Sequence, residues 1–392
     1  MKTRLVILFV LIAAGAAAFE CEVVLTKQDA SMDWWYAVPV GFEPEVTRVD
    51  RVNKGEYFRI IPFYEGCAVD GYSAARVSFD IEITRPDGST AESVKGSDGL
   101  SGAVAPSGRI PSMAILNPCF SASDPYGAYA VNVTSVDHVA GITNTQSKTV
   151  HLVEFRMETL SEEERGRLFL TYPTAPEPAK ALAAFLQTEH PFFMEDDEPV
   201  WSAIWFFKTV FENNEFLIPR LVEAFPRGTN KQRRDTILVM ALMGRLDELP
   251  ALSTHLKAFS KVMAAGRVPD PYGDIITGKQ LDMLWAEFFA TGTVKPLRRV
   301  VESLRLVEHV GALEKIKSGE LDPKNPEVYR AGLQEAVFQS ALVSLRSNCQ
   351  TSPLTRQYCV GVLQSDSLDA RAASCLAMLL KSIENKEKDD EK

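Results

Sequence analysis

Outside its first eighteen residues the sequence has no apolar run that approaches the roughly 20 residues a helix needs to cross a bilayer, so no integral membrane segment is expected in the mature chain. It also lacks HExxH, GxSxG, a Walker sequence and any GxGxxG that opens a helix after a strand. The motif-bearing zinc proteases, serine hydrolases, P-loop and dinucleotide-binding enzymes are thereby set aside. Only five histidines occur (His138, His151, His190, His255 and His309), and none stands three or four residues from another to make a two-histidine metal face on a helix. No CxxC is present, which argues against a thioredoxin-like redox site or a zinc ribbon. Lysine and arginine total 42 against 52 acidic residues, a formal net charge of -10, and no basic block stands out. A nucleic-acid partner is therefore not expected, because phosphate affinity needs clustered positive charge. These patterns assign no catalytic residue, no metal ligand and no cofactor.

What is present begins at the N-terminus. Lys2 and Arg4 lead into an apolar run of about fourteen residues from Leu5 to Ala18, and Ala16-Ala17-Ala18 supplies the small residues a signal peptidase needs before Phe19. This predicts a cleaved signal peptide over residues 1–18 and a soluble exported protein, periplasmic or secreted. Glu20 before Cys21 spoils a lipoprotein cleavage box. In an oxidising compartment the six cysteines are disulfide candidates, and the preferred pairs are Cys67 with Cys119 and Cys349 with Cys359. The second closes a short loop of about eleven residues, for a stabilisation of roughly 3 kcal/mol by chain entropy.

The hydrophobic period divides the chain. Val77, Phe79, Ile81 and Ile83 alternate with polar residues up to the turn Pro86-Asp87-Gly88, and Tyr129, Val131 and Val133 alternate likewise. Cys21 to Thr26, Tyr57 to Phe63 and Val150 to Phe155 are shorter strand candidates. From about Leu160 the period becomes 3.6. Leu281, Leu284, Trp285, Phe288 and Phe289 form one helical stripe, Gly292 a stop, and Leu297, Val300, Val301 and Leu304 the next stripe, a helical hairpin. Further helices are expected near 176–190, 200–214, 216–225, 230–244, 246–265, 326–347, 353–364 and 368–384. No fixed repeat period holds across them. The expected fold is α+β in two domains: an antiparallel β-sandwich over 19–156 and an all-helical domain over 157–385, an irregular α-solenoid or multi-helix bundle. Residues 386–392 read as a charged, disordered tail.

The segment Asp124-Pro125-Tyr126-Gly127-Ala128-Tyr129-Ala130-Val131-Asn132-Val133-Thr134, followed by Asp137, resembles the penultimate strand of immunoglobulin-like domains. With the Phe79 to Gly88 strand and turn, it makes residues 20–155 similar to a bacterial immunoglobulin-like module. No tryptophan lies between Cys67 and Cys119, a departure from the antibody-type pattern. The resemblance implies a spacer, adhesion or docking module, since such sandwiches present surfaces more often than they perform chemistry.

Candidate binding surfaces are few. Trp34-Trp35-Tyr36 sits in a polar, loop-like stretch and is a candidate for stacking on sugars, with packing onto the sandwich as the alternative. Asp270, Tyr272 and Asp274 share a Pro- and Gly-bearing loop suited to a cation or ligand. The acidic run Glu195 to Glu198 complements the dipole of a helix starting near Val200. The aromatic stretch Phe192 to Phe225 reads as core, or as an exposed groove. The function these features favour is that of a non-catalytic binding or scaffold protein whose helical domain engages a protein partner in the envelope or outside the cell. The alternative is an extracytoplasmic carbohydrate- or polymer-acting enzyme, or a polysaccharide-binding protein.

Overall fold

The computed structural model describes residues 19–29, 31–39, 41–103, 108–187, 200–250, 252, 256–258, 260–261, 268–275, 277–365 and 368–390. The expected signal peptide, the acidic run Glu195 to Glu198 and much of the helix expected over 246–265 lie outside them. The fold is α+β. The strands are β1 (Glu20–Thr26), β2 (Arg51–Asn53), β3 (Arg59–Glu65), β4 (Ala74–Thr84), β5 (Thr90–Ala103), β6 (Ile110–Pro111), β7 (Gly127–Asp137) and β8 (Ile142–Val153).

Two compact units form, and each is discontinuous. The first holds the chain up to Leu25, Ile60–Leu116 and Pro125–His151; the second holds Thr26–Arg59, Asn117–Asp124 and Leu152–Lys392. The single boundary expected near residue 156 is thus replaced by several crossings. Segment 117–124 belongs with the second unit because its backbone pairs there: Gly55 N–H donates to Phe120 O at 2.8 Å and Phe58 N–H to Pro118 O at 3.2 Å.

In the first unit β1, β3 and β6 make one small sheet, while β8, β7, β4 and β5 run in that order in a larger one. β4 buries Ala75, Val77, Phe79, Ile81 and Ile83 and turns the intervening residues outward, the pattern its sequence carries. It pairs antiparallel with β7 in unbroken register from Val77 opposite Asp137 to Thr84 opposite Ala130. Its pairing with β5 shifts register three times, and such bulges add the bend with which this sheet curls into a half-barrel. β5 was not expected, because its Gly, Ser and Lys content lacks alternation; as the edge strand it exposes most of its side chains and needs none. At the β7 end the Tyr129 hydroxyl donates to Pro125 O at 2.8 Å. The buried Asp137 carboxylate accepts the N–H groups of Ala68, Val139 and Ala140 at 2.8, 2.9 and 3.1 Å.

The helices, nearly all in the second unit, are α1 (Asp33–Tyr36), α2 (Glu162–Thr171), α3 (Pro178–Gln187), α4 (Trp201–Glu212), α5 (Ile218–Ala224), α6 (Asn230–Leu242), α7 (Gly278–Thr291), α8 (Val294–Glu302), α9 (Ala312–Lys317), α10 (Pro326–Thr351), α11 (Pro353–Gln364) and α12 (Ala370–Asp390). A capping box starts α2, with Glu164 N–H on Ser161 Oγ and Ser161 N–H on Glu164. α4 supplies Phe206, Phe207 and Phe211 to a core shared with Phe185 of α3, whose ring meets Phe207 edge-on at 5.0 Å. The aromatic stretch is therefore core over its described part, not an open groove. α7 ends at Gly292, which takes a φ of 69° that a side chain would strain, and α8 follows directly as the expected hairpin. α12 continues through Asp390, so 386–390 are helical where a disordered tail was expected. No helix among the described residues is long and apolar enough to cross a membrane.

The buried Glu335 of α10 caps the start of α9, accepting Gly311 N–H at 3.0 Å and Leu313 N–H at 2.7 Å. Burial alone would raise its carboxyl, but these backbone donors and the Lys317 charge outweigh it and hold it below the usual range. A depressed carboxyl contributes stability above its unfolded value of about 4.3 and loses it as pH falls through the folded value. Urea midpoints should consequently drop more steeply below pH about 4.3 in the wild type than in Glu335→Gln. Parallel pH profiles would refute the cap's role.

The cysteine expectation requires a correction, because all six are free thiols. Cys349 and Cys359 are neighbours, as expected, but their sulfurs lie 3.5 Å apart, beyond the roughly 2.05 Å of a bond. Cys67 sits half-buried in the first unit; Cys119 is exposed in the second, on the segment that bridges to Tyr57.

Candidate functional site

The broadest concavity described lies wholly within the second unit, an open cleft of about 860 Å³. Four stretches wall it: Lys27 just after β1, the segment Thr47 to Asn53 that includes β2, Val153 to Glu158 beyond β8, and Ala175 to Lys180 entering α3. Local chemistry holds the walls in place. The buried Gln28 accepts Thr47 N–H at 3.1 Å and donates to Glu45 O at 3.4 Å, pinning one rim. Across the floor Glu56, only 1 % exposed, binds Lys27 Nζ at 2.7 Å through Oε1 and accepts Asn53 N–H and Nδ2 at 2.9 and 2.8 Å through Oε2. A carboxylate buried so deeply is tolerable because a cation and two amide donors satisfy both oxygens.

The cleft presents both signs of charge. Lys27, Arg48, Arg51, Arg156 and Lys180 face Asp50, Glu154, Glu158 and Glu177, and all four carboxylates belong to exposed residues. Lys180 pairs with Glu177 at 2.8 Å, and this hydrogen bond raises its ammonium above the ordinary value. Arg51 and Arg156 form no ion pair among the described residues. A wall of alternating sign gives a polyanion no net field to follow, but it suits a polar partner carrying both charges.

The expected surface residues are elsewhere and are engaged internally. Trp34 is 1 % exposed and donates its indole N–H to Asp29 O at 2.9 Å, and its ring meets Trp35 at 86°. A coplanar sugar platform is therefore not formed; the loop-like stretch is the one-turn helix α1, with only Tyr36 turned out at 61 % exposure. In the second candidate, Asp270 Oδ1 accepts Tyr272 N–H at 2.9 Å, Tyr272 donates its hydroxyl to Glu287 at 2.6 Å, and Asp274 pairs with Arg330 at 3.4 Å. Lys295 Nζ covers the Tyr272 ring at 4.5 Å. The loop satisfies itself and gathers no ligand set, and the described residues contain no cluster of three metal-ligating side chains.

Sequence reading missed the cleft because its walls come from residues 27, 47–53, 153–158 and 175–180, with no spacing that links them. The one local signal is Lys54-Gly55-Glu56, a turn ahead of an apolar strand with an acidic residue where an apolar one would fit.

No protein-family model matches the chain, and no curated protein matches it. One similar solved structure is a family 123 glycoside hydrolase from Clostridium perfringens, 8 % identical over 49 % of this chain, with a TM-score of 0.19. The similarity spans 36 % of that hydrolase and is too slight to bear on what this chain does.

Proposed function

We propose that the chain is an exported, non-catalytic binding protein whose second, largely helical unit engages a protein partner through the charged cleft. The observation that carries this reading is the cleft itself: about 860 Å³, open, and walled by five cations and four carboxylates that are not buried. Pockets for small apolar ligands are lined mostly by hydrophobic and aromatic side chains, unlike this one. Hydrolysis of a glycan by paired carboxylates needs one acid whose pKa is raised, commonly by burial, and none of these four has such surroundings. A protein segment bearing both charges matches the walls.

The first unit reads as an immunoglobulin-like sandwich acting as a spacer. The Tyr129 to Pro125 hydrogen bond supports that reading, since a tyrosine at the start of the penultimate strand bonding back a few residues upstream recurs in such domains. The α7 and α8 hairpin supports reading the rest as a helical array. Export follows from the signal-like N-terminus, and Edman sequencing of the protein from its native cells should begin at Phe19.

Cross-linking in those cells, with the linked residues mapped by mass spectrometry, tests the binding role. One dominant partner linked at Lys27 or Lys180, on the cleft wall, is the expected outcome. Links confined to the first unit, or none above background, would overturn it.

A further inference from the structure

A second, narrower pocket of about 110 Å³ lies in the same unit, with Lys27 and Pro176 common to its walls and those of the cleft. At about 30 Å³ per water it holds three or four waters or one compact ion. Two of its polar side chains lack partners. Arg59 Nε is shielded from solvent without a hydrogen bond, and its guanidinium forms no ion pair with any described residue. The hydroxyl of Tyr172, a residue 2 % exposed, likewise has no partner of acceptable geometry, although Asn214 stands beside it. Buried polar groups are almost always satisfied, and a buried, unpaired cation is costly. Two orphaned donors facing one small cavity therefore point to something that fills it.

The geometry points to this pocket as a binding site for a compact, singly charged oxyanion, above all a carboxylate group, received by the Arg59 guanidinium and the Tyr172 hydroxyl. A guanidinium offers parallel donors that match a carboxylate's two oxygens. Burial pulls Arg59 below its ordinary value, with Asp29 and Tyr57 acting in the opposite sense, and an arginine stays charged through such a shift. Burial pushes the Tyr172 hydroxyl up, so it remains a donor. The neighbouring charges set the valence. Lys27 is already neutralised by Glu56, while Asp29, the carboxylate in the walls, accepts Ser31 N–H at 2.8 Å and forms no ion pair with Arg59. With Asp29 close by, a monoanion is favoured over a dianion. Asn213 and Asn214 line the same space and offer further amide donors. This site does not depend on the protein-partner reading, because a small free acid would fill it equally well.

The test is calorimetric titration of the mature protein with acetate and with sulfate, against chloride at matched ionic strength. Saturable acetate binding is expected in the wild type, weaker binding of sulfate, a loss of at least about tenfold in Arg59→Met, and a several-fold loss in Tyr172→Phe. Because the Tyr172 hydroxyl bonds to nothing, Tyr172→Phe should melt no lower than the wild type without acetate, which keeps it informative even where Arg59→Met fails to fold. A short peptide acid and its C-terminal amide separate the sources: tighter binding of the acid than of acetate, lost in the amide, supports a partner's terminus, and equal binding of acid and acetate supports a free small acid. No saturable heat above chloride, or acetate affinity unchanged in Tyr172→Phe, would overturn the proposal.

Discussion

Gly361→Ala should cost about 3 kcal/mol or more, the upper range for overpacking, while Gly166→Ala should stabilise by about 0.5–1 kcal/mol. Both glycines are helical, in α11 and α2, and on propensity alone both substitutions would help. What separates them is space. A methyl group on Gly361 would come to 2.9 Å from the carbonyl carbon of Ala37 and closer still to its oxygen, and backbone on that side cannot step aside as a flexible side chain could. At Gly166 nothing lies within 4 Å. The close approach is thus how the segment after α1 packs on α11, and it explains why a glycine interrupts an otherwise good helix former. Urea denaturation of the two variants beside the wild type checks this. Equal effects from both would mean that the segment does not rest on α11.

Glu56→Ala should be comparably damaging, at about 3–5 kcal/mol, because it strands a largely buried ammonium. Lys27 keeps only 15 % of its side chain exposed, and the substitution removes its carboxylate together with the acceptor for two Asn53 donors. Replacing the pair by apolar residues, Lys27→Met with Glu56→Leu, should recover part of that loss, since no charge is then left unpaired. A loss below about 1 kcal/mol in Glu56→Ala would place the pair among ordinary surface ion pairs and remove the argument that it fixes the cleft floor.

These two sites show which parts of the fold the sequence made legible. β4 and β7 were readable because each buries one face, so that period two is imprinted on Val77 to Ile83 and Tyr129 to Val133. α7 and α8 were readable for the same reason at period 3.6. β5 was not, because an edge strand with most side chains in solvent leaves no hydrophobic imprint. α1 was misread as loop because a single turn is too short to show a period, although Trp34 anchors it. The membership of 26–59 and 117–124 in the second unit rests on backbone pairing, which composition does not record. Glu302 illustrates the same limit at one residue. Charge spacing suggests Arg298 as its partner, yet Arg299 takes that place at 3.1 Å while Arg298 reaches Ser365 at 2.9 Å. Nor does any spacing join Lys27, Glu56, Arg59 and Tyr172, which tertiary structure gathers around one corner of the second unit.

The central claim is that the charged cleft is where this protein binds its partner, and charge reversal at Arg51 and Arg156 addresses it most directly. Both are exposed and make no ion pair among the described residues, so Arg51→Glu with Arg156→Glu should leave the melting temperature within the range of ordinary surface changes. The measurement is the dissociation constant of the cross-linked partner for the wild type and for this double variant, at two salt concentrations. A loss of at least about tenfold, or roughly 1.4 kcal/mol, that shrinks as salt rises is the predicted result. Unchanged affinity in a variant that folds normally would contradict the claim and move the binding surface off the cleft.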